Sequence, residues 1–112
     1  MKAAEGRTNQ VNDKKLVPSG NGRVSYRIVI TGKVQGVSFR DFMRQRAMRH
    51  QVKGWVKNRR DGSVEALMQG REDRVLEMIR WAEFGPPGAS VRRVTYERVE
   101  RYPPQAGFAV IS

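Results

Sequence analysis

Two short stretches concentrate the residue types that could do chemistry. The first is Gly32-Lys33-Val34-Gln35-Gly36-Val37-Ser38-Phe39-Arg40, a glycine-bearing loop that runs straight into helical spacing. Unpaired backbone N–H groups at a helix start, together with the positive end of the helix dipole, make an anion site. Gly36 lets the backbone approach an anion closely and turn so that successive N–H groups converge. Arg40 falls in the first helical turn, where a cation is unfavourable by up to about 1 kcal/mol. A bound phosphoryl group would offset that cost through a bidentate pair. The competing reading is a plain glycine loop with a solvated arginine. The second stretch ends a strand at Asn58. An asparagine there can cap the turn at Arg59-Arg60-Asp61-Gly62, or its neutral amide can hold a water against a bound group. Taken alone, Asn58 fits the turn better.

The rest of the composition narrows the chemistry. The 112 residues make one domain and not two. There is no cysteine, so disulfides, thiolate catalysis and cysteine-built zinc sites are excluded. A single histidine, His50, argues against a histidine-based metal site or a Ser-His-Asp triad. Arg, Lys, Asn, Ser, carboxylates and backbone groups remain. No apolar run approaches a membrane span, and Met1 to Arg23 lacks the apolar core of a signal peptide. The expectation is a soluble cytoplasmic protein and a monomer. The net charge of +11 attracts anions, whether phosphorylated metabolites, nucleic acids or acidic lipid surfaces. Most of it lies from Val24 onward, where 17 basic and 9 acidic residues leave +8.

The elements that must position these residues follow from periodicity. Residues 1–23 are polar and poor in large apolar side chains, and are expected to form a disordered basic arm before a domain spanning 24–112. Tyr26, Ile28 and Ile30 alternate with Arg27, Val29 and Thr31, as in a strand. Phe39, Phe42, Met43 and Ala47 recur at helical spacing over 39–50, with Ser38 as N-cap and Asp41 in the first turn. A second strand over Val52 to Asn58 meets a third over Ser63 to Gln69 through a tight turn, for which Asp61-Gly62 would supply the positive φ angles. Residues 71–84 form a second helix, stopped by Gly85-Pro86-Pro87-Gly88. A fourth strand runs from Val91 to about Arg101, and a short last strand from Phe108 to Ile111. This order is the split β-α-β, ferredoxin-like sandwich of the α+β class: an antiparallel sheet with both helices on one face. Right-handed crossovers make the first two strands parallel with the third between them. Their C-terminal ends then share one sheet edge, so the loop at Lys33 to Ser38 and Asn58 face a common site.

At every specified position the first stretch resembles the acylphosphatase signature G-x-V-Q-G-V-x-F-R. The second stretch is similar to that family's other signature, G-W-V-K-N-x-x-x-G-x-V-x(5)-G: Gly54-Trp55-Val56-Lys57-Asn58, then Gly62, Val64 and Gly70. The resemblance covers roughly residues 24–112. It implies a hydrolase without metal or other cofactor that splits a small-molecule acyl phosphate into a carboxylate and inorganic phosphate. It implies that Arg40 binds the phosphate, that Asn58 orients the attacking water, and that the backbone of Gln35, Gly36, Val37, Ser38 and Phe39 supplies the remaining phosphate contacts. The chain departs from some members in its N-terminal arm and in lacking a tyrosine near its C-terminus.

The competing function is a basic nucleic-acid-binding module on the same ferredoxin-like fold. It rests on the charge and the arm, but the third strand carries no RNP1-like aromatic pattern. A third possibility, an idle family member serving as a partner-binding domain, is opposed by the intact Arg40 and Asn58. His50 reads as a dipole partner at a helix end. Trp55 and Trp81 read as core or core edge. Arg44, Arg46, Arg49, Lys53, Lys57, Arg59 and Arg60 read as solvated surface that could steer anions.

Overall fold

The computed structural model describes residues 9–10 and 22–111. The arm expected over 1–23 therefore lies outside the described residues, apart from Asn9, Gln10, Gly22 and Arg23. Asn9–Gln10 (β1) pairs antiparallel with a later strand, Asn9 opposite Tyr96 and Gln10 opposite Thr95. The remaining elements are β2 (Arg23–Lys33), α1 (Phe39–His50), β3 (Lys53–Asn58), β4 (Val64–Arg71), α2 (Glu72–Phe84), β5 (Ser90–Arg98) and β6 (Phe108–Val110). The sheet order is β1-β5-β2-β4-β3-β6. Pairing of β5, β2, β4 and β3 is antiparallel throughout. β4 lies between β2 and β3, so those two run parallel and their C-terminal ends share an edge.

Alternation along β2 buries Val24, Tyr26, Ile28 and Ile30 on one face. That face meets Phe39, Met43 and Ala47 of α1 and Val75, Leu76, Met78, Ile79 and Ala82 of α2 in one core. Burying a large apolar side chain contributes roughly 1.5–3 kcal/mol, so this face holds both helices on one side of the sheet. The Tyr26 hydroxyl donates to Glu72 Oε2 at 3.4 Å, tying β2 to the start of α2. Burial, and then the Glu72 charge, push the Tyr26 phenol above its usual pKa.

The other face differs from the alternation in the sequence. β4 is buried along almost its whole length, Glu65, Leu67 and Gln69 included. Arg27 pairs with Glu65 at 2.5 Å and with Glu97 at 3.3 Å. Gln69 Nε2 donates to the carbonyls of Tyr102 (3.3 Å) and Pro103 (2.9 Å), and Gln69 Oε1 accepts the Gln105 N–H at 2.8 Å. The loop after β5 is thereby pinned by a buried amide whose donors and acceptor are all used.

Several boundaries move. β4 continues past Gly70 to Arg71, and α2 follows at once. β5 stops at Arg98 rather than near Arg101, which takes a left-handed φ of 60° as the chain turns. The last strand ends at Val110 and pairs parallel with β3, Val56 opposite Val110, so the antiparallel core gains a parallel edge. That direction follows from the long loop, which returns the chain to the start of β3. In the β3–β4 turn only Gly62 has positive φ (93°); Asp61 does not. Gly62 N–H donates to Arg59 O (3.1 Å) and Arg59 N–H to Ser63 O (2.8 Å). This is a three-residue loop with a left-handed glycine at its end, not a two-residue turn with two positive φ angles.

Candidate active site

The loop between β2 and α1 and the end of β3 meet at one cleft of about 480 Å³. Gln35, Gly36, Ser38, Phe39, Arg40 and Asn58 line it, together with Val34, Asp41 and Val110. Lys33, at the start of the loop, and Val37 are absent from this lining; the Val37 side chain packs against the core instead.

The loop backbone departs from regular geometry where it enters the helix. Gly36 has φ 77°, and an added Cβ would meet nothing within 4 Å. The glycine is therefore required by backbone conformation, not by crowding. Ser38 occupies the N-cap position but has φ 60°, ψ 28°, and its side chain makes no capping bond. The expectation of a serine cap is corrected here: a left-handed residue does not present its hydroxyl to the first-turn N–H groups in the extended-backbone geometry that capping uses. The helix begins with Phe42 N–H donating to Ser38 O at 3.1 Å. Phe39 anchors this start. It is 2 % exposed, and its ring lies 5.5 Å from the Trp81 ring. Arg46 stands over the other side chain of that pair, 5.3 Å from the Trp81 ring centroid.

Arg40 and Asn58 are both half-buried. Among the described residues neither side chain has a hydrogen-bond or ion-pair partner, which distinguishes them from Arg27, Arg59, Arg71 and Arg98. Asn58 closes β3 opposite Val64, so the sheet fixes its backbone. Just beyond it the Asp61 carboxylate accepts from Ser63 Oγ (2.6 Å) and Ser63 N (2.9 Å). Those bonds, the hydroxyl's first, hold the Asp61 carboxyl below its usual pKa. The side chain of Gln35 reaches this turn, donating from Nε2 to Arg59 O (2.8 Å) and Ser63 O (2.9 Å).

Two contributors were not foreseen from the sequence. Val110 reaches the cleft because β6 lies alongside β3, with Ile111 N–H donating to Val56 O at 2.9 Å. Asp41, read only as a dipole partner, also lines it. Among the described residues no three or more His, Asp or Glu side chains come together as a metal-ligand group. No helix among them is long and apolar enough to cross a membrane.

The acylphosphatase family model matches residues 26–110. The chain belongs to the acylphosphatase family. It is 53% identical over 68 residues to the acylphosphatase of Pyrobaculum aerophilum, covering 60% of this chain and 72% of that one. It is 52% identical over 71 residues to the acylphosphatase of Thiobacillus denitrificans, covering 63% and 80%. Among solved structures, an acylphosphatase from Coxiella burnetii superposes with a TM-score of 0.77 at 32% identity, covering 84% of this chain and all of that one. Family membership makes this an acylphosphatase-class enzyme. The ferredoxin-like arrangement read from the sequence agrees with that structural likeness.

Proposed function

We propose that the cleft hydrolyses small-molecule acyl phosphates, with the phosphate group held by the 35–40 backbone and Arg40 and the attacking water held by Asn58. The observation that carries this reading is that Arg40 and Asn58 line one cleft at the start of α1, with no hydrogen-bond or ion-pair partner for either side chain among the described residues. A guanidinium with its donors unspent suits bidentate binding of phosphate. A neutral amide beside it can donate to and accept from a water without competing for the anion's charge.

The water oxygen attacks phosphorus, and the bond from phosphorus to the acyl oxygen breaks with its electron pair leaving on the carboxylate. The water's protons end on inorganic phosphate and in solvent. A carboxylate is a weak base at neutral pH, so its departure requires no proton donor. What the step requires is stabilisation of charge on the phosphoryl oxygens and in-line placement of the water. Arg40 and the N-terminal dipole of α1 supply the first, and Asn58 supplies the second. The net charge of +11 draws anionic substrate toward the site.

The test is hydrolysis of an aryl acyl phosphate, such as benzoyl phosphate, with and without EDTA. The reading requires turnover at the same rate in both. No turnover, or turnover lost in EDTA and restored by a divalent cation, contradicts it.

A further inference from the structure

We infer that the Gln35 side chain is a positioning residue, which locks the phosphate-holding loop to the turn that carries Asn58. The inference rests on the roles proposed above for that loop and for Asn58.

The reaction geometry depends on two pieces of chain that no regular element joins directly. One is the 35–40 backbone, which leaves β2 and takes left-handed conformations at Gly36 and Ser38. The other is the end of β3, whose hydrogen bonds run to β4 and β6. A loop of this kind has few contacts of its own to fix its distance from a neighbouring strand end. The Gln35 amide supplies that fixation. Its Nε2 has two N–H groups, and both are directed into the turn: one to Arg59 O at 2.8 Å and one to Ser63 O at 2.9 Å. Arg59 and Ser63 are the two residues that close the turn on each other. Arg59 is also the next residue after Asn58. The amide therefore grips the turn at its base, one peptide unit from the residue proposed to hold the water.

The turn does not need Gln35 to exist. Its own bonds, Arg59 N–H to Ser63 O, Gly62 N–H to Arg59 O and the two from Ser63 to Asp61, already close it. The loop does not need it to begin α1, which Phe39 anchors on Trp81. What depends on Gln35 is the register between the two. In-line attack tolerates little error in that register, and a displacement of about 1 Å can cost on the order of 10²-fold in rate.

The experiment is a double-mutant cycle. Gln35→Met keeps the length and removes the donors; it is made alone and with Asn58→Ala. Turnover of benzoyl phosphate, inhibition by inorganic phosphate and a thermal melt are measured for each. Gln35→Met alone is expected to lower kcat about tenfold or more, while the inhibition constant for phosphate stays within about twofold, because the loop backbone and Arg40 still bind the anion. In the Asn58→Ala background the same change is expected to alter kcat less than about twofold, since the group it positions is gone. An equal loss in both backgrounds, or a loss confined to phosphate affinity, overturns the inference. Gln35→Glu gives a second reading that does not depend on how Gln35→Met folds. Its carboxylate faces two carbonyl oxygens, whereas its protonated form regains one donor. Its kcat relative to the parent should rise as pH falls; a flat ratio overturns the inference. An Asn58→Ala variant as fast as the parent overturns the underlying reading instead, and is seen in the same data.

Discussion

Arg40 lies in the first turn of α1 and Asn58 closes β3, and the two side chains line the same cleft with no hydrogen-bond or ion-pair partner among the described residues. The topology brings them together. Two parallel strands with an antiparallel strand between them end on one edge, so a loop after the first and a residue at the tip of the second must be neighbours. A helix start with unpaired N–H groups then adds its dipole to the arginine's charge.

Phosphate and sulfate should both inhibit competitively by occupying the 35–40 loop. Arg40→Ala should raise the phosphate inhibition constant on the order of tenfold or more and lower turnover as well, because a charge-assisted hydrogen bond contributes about 1.5–3 kcal/mol. Steady-state inhibition measures both effects. A crystal soaked in either anion should place it at the start of α1. Density only at the Arg59–Arg60 surface would contradict the assignment.

Ser38 sits where a helix cap belongs but makes no cap bond. Ser38→Ala should therefore cost less than about 0.5 kcal/mol, where a lost side-chain cap typically costs about 1. Ser38→Gly should be at least as stable as the parent, since glycine accepts φ 60° without steric penalty. Denaturant titration of the three proteins decides. A loss of about 1 kcal/mol or more in Ser38→Ala would mean that the hydroxyl caps the helix in solution.

The Asp61 carboxylate has a depressed pKa because it accepts two bonds from Ser63. A folded pKa below the unfolded value stabilises the fold above the usual carboxylate range, about pH 4, and that contribution disappears as pH falls through the folded pKa. Asp61→Ala should thus melt below the parent at neutral pH. The gap should close in acid. Melting midpoints across that range measure it, and a gap independent of pH would show that the charge plays no part.

Much of this arrangement was legible in the residues, and the gaps have physical causes. The alternation of Tyr26, Ile28 and Ile30 and the spacing of Phe39, Met43 and Ala47 reflect a single buried face each, so β2 and α1 could be read directly. Arg40, Asn58 and the loop could be placed because crossover handedness fixes their common edge. Glu65 and Gln69 look like solvent-facing residues in sequence; Gln69 is buried where a distant loop folds back onto it, held by bonds to Tyr102, Pro103 and Gln105, and Glu65 is flanked by Arg27 and Lys57 from the neighbouring strands. Ser38 has the right residue type for a cap, but residue type does not set its φ. Val110 reaches the cleft only through parallel pairing opposite Val56; the short last strand could be read from the sequence, but the neighbour it joins and its direction could not. The destination of the Gln35 amide was hidden because a side-chain amide and a backbone N–H can serve different partners, and only the turn's geometry shows where the amide goes.

The central claim is that Asn58 acts on the water and not on the phosphate. Asn58→Ala, shown by its melt to be folded, should turn over an aryl acyl phosphate about 10²–10³-fold more slowly than the parent, the loss typical of removing one positioned hydrogen-bond partner from such a site. Inhibition by inorganic phosphate should stay nearly unchanged, because Arg40 and the loop backbone remain. A folded Asn58→Ala variant with the parent's turnover would contradict the account.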